Sequence, residues 1–139
     1  MTEAASGGYD TVVATVDYTM PANVEALYVI GTGLTGTGSA GADTLLTVGA
    51  NTLAGSAGND SFVFFAGAAN GATVVDFDGL DAAQGDTLIF SGFGSAAQGA
   101  TFTSLGNDQW QIHSGLDAHN ETITLGNGAS IHATDFLFV

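Results

Sequence analysis

Asp43 and Asp60 are the residues whose type and setting could do chemistry. Each sits in one frame, Gly-x-Asp/Asn-x-apolar: Gly41-Ala42-Asp43-Thr44-Leu45 and Gly58-Asn59-Asp60-Ser61-Phe62. Gly49-Ala50-Asn51-Thr52-Leu53 lies between them, and Gly8-Tyr9-Asp10-Thr11-Val12 offers a fourth copy. Glycine lets the backbone turn sharply and aim carbonyl oxygens inward. The Asp or Asn adds a side-chain oxygen, and the apolar residue two positions on enters a short strand facing the core. The spacings are eight and then nine residues. If each repeat is one turn plus one strand, successive turns fall on opposite sides of a flattened coil. Asp43 and Asp60, 17 residues apart, then stack on one side, with Asn51 on the opposite edge. Two stacked Gly-Asp turns offer a cage of carbonyls and carboxylates. That is the oxygen chemistry of Ca2+, which takes about six to eight such ligands.

The charge balance points the same way. The chain has 139 residues, 14 acidic residues and no lysine or arginine, for a formal charge of -14. Only Glu3, Glu25 and Glu121 are glutamate. Aspartate beside glycine marks turns and oxygen-donor sites, whereas a solvated helical surface favours Glu with Lys. No carboxylate here can pair with Lys or Arg. Solvation, backbone N–H donors or bound metal cations must neutralise them. Nucleic-acid binding, which runs on Lys and Arg contacts to phosphate, is excluded. Anionic membranes should repel the chain, and no apolar run approaches a membrane span. Without cysteine there is no disulfide, zinc–thiolate site or thiol chemistry. Met1-Thr2-Glu3-Ala4-Ala5 has no positively charged leader region and reads as a start placed inside a longer sequence.

The elements that must position these turns are strands. Short alternating apolar runs bounded by glycine dominate: 11–16, 26–30, 61–65, 72–77, 87–90, 100–103, 109–113, 121–125 and 135–139. The best helical candidate, 21–27, is at most a turn or two. One domain over 1–139 is expected. Within it, a repeat-rich roll occupies 1–66, and closing strands with a β cap occupy 67–139. In the second part Trp110 and Ile112 share a face opposite Gln109, Gln111 and His113, as in an antiparallel sheet with one buried side.

The repeat resembles the nonapeptide G-G-x-G-x-D-x-U-x of RTX (hemolysin-type) proteins, a calcium-binding parallel β-roll signature. Gly38-Ser39-Ala40-Gly41-Ala42-Asp43-Thr44-Leu45 and Gly55-Ser56-Ala57-Gly58-Asn59-Asp60-Ser61-Phe62 match closely, with Ser for the second Gly. The middle copy is shortened and carries Asn51 for Asp. Val74-Val75-Asp76-Phe77-Asp78 and Gly85-Asp86-Thr87-Leu88 look like the elements that close such rolls, and 7–27 looks like the run preceding them. The resemblance implies a right-handed parallel β-roll and a calcium ligand set of Asp43 and Asp60 with main-chain oxygens of Gly38, Ala40, Gly41, Gly55, Ala57 and Gly58. It also implies that Asp76 supports the last calcium. Asp135-Phe136-Leu137-Phe138-Val139 resembles the acidic-then-apolar end of type I secretion substrates, implying a secreted or cell-surface bacterial protein.

Other constellations carry less. His113, His119 and His132 have no metal-ligand spacing and read as surface histidines. Asp76, Asp78, Asp81 and Asp86 form an acidic loop, read as a solvated turn region with one structural calcium ligand rather than an acid–base pair. Trp110 and the tyrosines read as core aromatics, with sugar stacking as the alternative. Paired threonines such as Thr35/Thr37 resemble flat ice-binding faces but follow no repeat period. The expectation is a non-enzymatic, structural calcium module, all-β, that folds on Ca2+ after export. A glycan-binding or adhesin module and a calcium-dependent self-associating surface element are the alternatives. The plainest competitor is a glycine-rich solenoid whose aspartates only cap turns.

Overall fold

A computed structural model describes residues 7–79 and 85–139. Among these residues thirteen strands form two sheets, alternating between them up to β9: β1 (Thr11–Ala14), β2 (Tyr18–Thr19), β3 (Ala26–Ile30), β4 (Thr35–Thr37), β5 (Thr44–Val48), β6 (Thr52–Ala54), β7 (Ser61–Phe65), β8 (Thr73–Val74), β9 (Thr87–Ser91), β10 (Thr101–Gly106), β11 (Gln109–His113), β12 (Asn120–Leu125) and β13 (Phe136–Phe138). Sheet one runs β1-β3-β5-β7-β9-β13, parallel throughout. Sheet two runs β2-β4-β6-β8-β12 in parallel and continues into β11 and β10 with antiparallel pairing. Each coil is thus one strand of sheet one, a turn, one strand of sheet two and a second turn. The fourth coil ends on β8. The fifth begins on β9, detours through the β10–β11 hairpin and completes itself on β12.

The core lies between the sheets and follows the two-residue period of a strand. Leu27, Leu45, Phe62 and Leu88 form one inward row across β3, β5, β7 and β9, in direct register. All four are fully buried. The sheet facing them supplies Leu53, Val74 and Leu125 in register. Gly36 completes that row because β3 comes close there. A methyl on it would lie 2.5 Å from Val29 Cγ2 and 3.1 Å from Leu27 Cδ2.

The far end is closed by aromatic packing. Phe102 of β10 lies 4.7 Å from the Phe90 ring and stacks on Trp110 at 4.9 Å, and Phe136 and Phe138 pack on Phe90. Trp110 is therefore half-buried against Phe102. The cap is tied back to the coil through Glu121. This carboxylate, 4% exposed, accepts the N–H groups of Gly67 and Ala69 in the turn after β7.

One expectation needs correcting. Residues 21–27 form no helical turn: Ala26 and Leu27 already belong to β3, and Asn23 takes a positive φ of 68°. The inward alternation of Leu27 and Val29 outweighs the local helical preference. Among the described residues the only helical turn is a 3-10 turn at Ala96–Gln98. The fold is an all-β parallel roll closed by an antiparallel cap.

Candidate metal centre

The turns that enter sheet one carry a ladder of acids. Thr44 pairs with Ser61 and Ser61 with Thr87, so Asp43, Asp60 and Asp86 stand one above the next at the same point of three successive coils. Glu25 and Asp10 continue the ladder upward, since Ala26 pairs with Thr44 and with Thr11. Asp81 of the acidic loop lies outside the described residues.

A single rule of hydrogen bonding builds this ladder. The residue before each strand gives its carbonyl to the next coil's backbone: Ser61 N–H donates to Asp43 O, and Thr87 N–H to Asp60 O. At Asp10, Asp43 and Asp60 its own N–H is taken by the side chain of the next coil's acid, whereas the Glu25 N–H turns back to Asp10 O. Asp43 N–H donates to Asp60 Oδ1, Asp60 N–H to Asp86 Oδ1, and Asp10 N–H to Glu25 Oε2, at 2.8–2.9 Å. The carboxylate thus substitutes for a missing backbone acceptor where the turn leaves the sheet. Asp43 also takes the Ser39 N–H and hydroxyl.

Asn51 makes the equivalent link on the opposite edge. Its Oδ1 accepts the Leu34 N–H at 3.0 Å, while its amide donates to Gly31 O, Thr47 Oγ1 and Val48 O. Aspartate has no donor for those three acceptors, which accounts for asparagine in the middle copy.

The glycines bring the oxygens together. Gly38 and Gly55 are buried and lie one coil apart. A methyl on Gly38 would collide with the Gly55 carbonyl oxygen and lie 2.9 Å from Asp43 Oδ2. One on Gly55 would collide with Asp60 Oδ2. Further out, Gly58, at φ +134°, stacks on the Gly41 carbonyl. Ala40, Gly41, Ala57 and Gly58 form the exposed rim of the two turns. Asp76 joins from the next coil, where its two carboxylate oxygens accept the Gly55 and Ser56 N–H groups at 2.9 Å each.

The electrostatics are unfavourable without a cation. Burial pushes Asp60 up from 3.8 to about 6. The hydrogen bond from the Asp43 N–H offsets part of this, while Asp86, Asp43 and Asp76 add to it by repulsion. Burial raises Asp43 and Asp86 as well, with nearby acids adding to each. The histidines sit elsewhere. His119 packs on Phe93 between Asp117 and Glu121, His113 bonds Asn120, and His132 lies 3.5 Å from Asp135.

The donor set at the stacked turns is all oxygen, carries negative charge and surrounds cradles that any side chain would fill. It fits a hard cation of the Ca2+ type. Each carboxylate keeps acceptor capacity beyond the N–H it holds. Among the described residues no three Asp, Glu or His side chains converge as a ready ligand set, so main-chain carbonyls would have to supply most of the ligands.

Asp43 and Asp60 meet as their spacing predicts. Glu25 and Asp86 are equal members of the ladder that the glycine frame alone does not reveal. The signal that finds them is acid-x-apolar, repeated in Asp10-Thr11-Val12, Glu25-Ala26-Leu27, Asp43-Thr44-Leu45, Asp60-Ser61-Phe62 and Asp86-Thr87-Leu88. No family model, curated protein or solved structure matches the chain.

Proposed function

We propose that this chain is a structural calcium-binding β-roll whose fold is completed by Ca2+, as the resemblance to RTX repeats implies. The observation that carries the reading is the buried stack of Asp43, Asp60 and Asp86 beside the Gly38–Gly55 cradle, held by backbone N–H groups in a chain with no lysine or arginine to balance the charge. Asp43 and Asp60 would hold the ion, with main-chain oxygens of Gly38, Ala40, Gly41, Gly55, Ala57 and Gly58. Asp76 would act from the neighbouring coil, where it already orders Gly55 and Ser56. When bound, calcium supplies positive charge among carboxylates that otherwise repel. Binding only the folded chain, it adds stability by mass action.

This reading suits a protein exported loose from a calcium-poor compartment and folded outside, and a role as a spacer or scaffold rather than an enzyme. Melting followed by far-UV circular dichroism tests it. The melting temperature should rise by several degrees from EDTA to millimolar calcium. An unchanged melting temperature would leave the aspartates as turn caps only.

A further inference from the structure

The two edges of the roll are closed by different chemistry. Asn51, 1% exposed, sits at the edge where strands of sheet one end. Its amide nitrogen lies 3.0 Å from Gly31 O, 3.1 Å from Thr47 Oγ1 and 3.2 Å from Val48 O. Three oxygens from two successive coils thus converge on one nitrogen, as they would on a small cation. The amide answers them with N–H donors and brings no charge. Its Oδ1 also holds the Leu34 N–H. Backbone bonds join the same turns from coil to coil: Gly31 N–H to Val48 O, Gly33 N–H to Ala50 O and Gly49 N–H to Ala68 O.

Acids at this edge also find partners within the chain. Asp17 Oδ1 accepts the Thr35 N–H. Glu121 is the one buried acid here among the described residues, and it takes the Gly67 and Ala69 N–H groups. Its Oε1 lies 3.4 Å from His119 Nε2, so a side chain that can carry positive charge stands beside it. Asp43, Asp60 and Asp86 are buried at the acidic edge, and the three histidines sit beside Asp117, Asn120, Glu121 and Asp135 instead. There the links between turns run through charge. Asp60 and Asp86 hold the N–H groups of Asp43 and Asp60, and Asp76 holds those of Gly55 and Ser56.

We propose that the Asn51 edge is a standing hinge, in which the Asn51 amide does permanently what calcium does at the acidic edge. When the ion leaves, repulsion among the acids opens the roll along the turns at 38–43 and 55–60, while the turns at 31–34 and 49–51 stay closed. Opening of the acidic edge rests on the calcium reading, whereas closure of the Asn51 edge without an ion does not. Partial opening of a fold starts where its links are weakest. A coil held at one edge keeps its strand register, so returning calcium has only to close the other edge.

Amide hydrogen exchange, read residue by residue by NMR on the whole chain in EDTA and in millimolar calcium, tests the hinge. In EDTA the N–H groups of Ser39, Asp43, Gly55 and Asp60 should exchange at least about tenfold faster than in calcium, while those of Gly31, Leu34 and Gly49 stay within about threefold. Asn51→Asp keeps an acceptor for the Leu34 N–H but removes the donors. In EDTA it should speed exchange at Leu34 and Gly49 at least about tenfold over the unsubstituted chain. If Asn51→Asp does not fold, Thr47→Val, which removes one of the three oxygens, should speed exchange there about threefold. Loss of protection at both edges together in EDTA overturns the proposal, as does exchange at the Asn51 edge that neither substitution alters. Unchanged exchange at both edges would sink the calcium reading and the opening with it, a result distinct from joint loss.

Discussion

Asp60 accepts the Asp43 N–H, lies 2% exposed, and has acids above, below and beside it. Its burial raises its proton affinity, and the consequence has a definite sign. The folded chain holds this proton with a pKa of about 6, against 3.8 when unfolded. The metal-free fold should therefore gain stability as pH falls from about 7 to about 4, and lose it as pH rises through about 6. Asp43 and Asp86 act in the same direction. His119, raised by its hydrogen bond to Asp117, does so too, while Asp117, lowered to about 2 mainly by bonds from Ser114 and His119, matters only in stronger acid. Melting in EDTA at a series of pH values checks this, and a melting temperature that falls from pH 7 to pH 5 would contradict it. Asp60→Asn separates the two roles of the side chain. The amide keeps an acceptor for the Asp43 N–H but removes the buried charge. In EDTA at neutral pH the variant should gain on the order of 1 kcal/mol by denaturant titration, and it should lose most of its response to calcium.

Among the elements, the attachment of the cap is the most exposed to single changes. β12 pairs with β8 at Thr124–Thr73 and Leu125–Val74, and Thr122 adds bonds to Asn70 and Gly71 just ahead of β8. Glu121 adds the two N–H bonds from Gly67 and Ala69. Glu121→Ala should cost about 2–3 kcal/mol by leaving buried donors unpaired, and Glu121→Gln should restore part of it. Loss of stability below about 0.5 kcal/mol would show that the aromatic packing and the remaining hydrogen bonds of β12 to residues 70–74 hold the cap without Glu121. Strands 26–30 and 61–65 are legible in the sequence as short dense apolar runs, and 109–113 by its alternation of polar and apolar residues. β2 and β4 are not, since two or three residues are too few to carry a period. The same holds for the outward threonine row, where Thr35 pairs with Thr52, Thr52 with Thr73 and Thr73 with Thr124. Its members lie 17, 21 and 51 residues apart, so only the stacking of the coils reveals it.

At the scale of the whole molecule, the acid ladder and the roll are one device. Asp43 and Asp60 are readable from sequence because glycine frames flank them 17 residues apart. The longer ladder is hidden because the step from one acid to the next varies, with Asp60 and Asp86 separated by 26 residues. The terminal run 135–139, which resembles a secretion signal, is also a structural part. Asp135 is fully buried and β13 extends sheet one beside β9. Calcium titration calorimetry on the chain and on Asp43→Asn with Asp60→Asn tests the central claim most directly. The account predicts saturable binding with a dissociation constant of about 10⁻⁴–10⁻³ M, as in extracellular calcium modules, and its loss in the double variant. Absence of saturable binding up to about 10 mM calcium, or equal binding by the double variant, would contradict it.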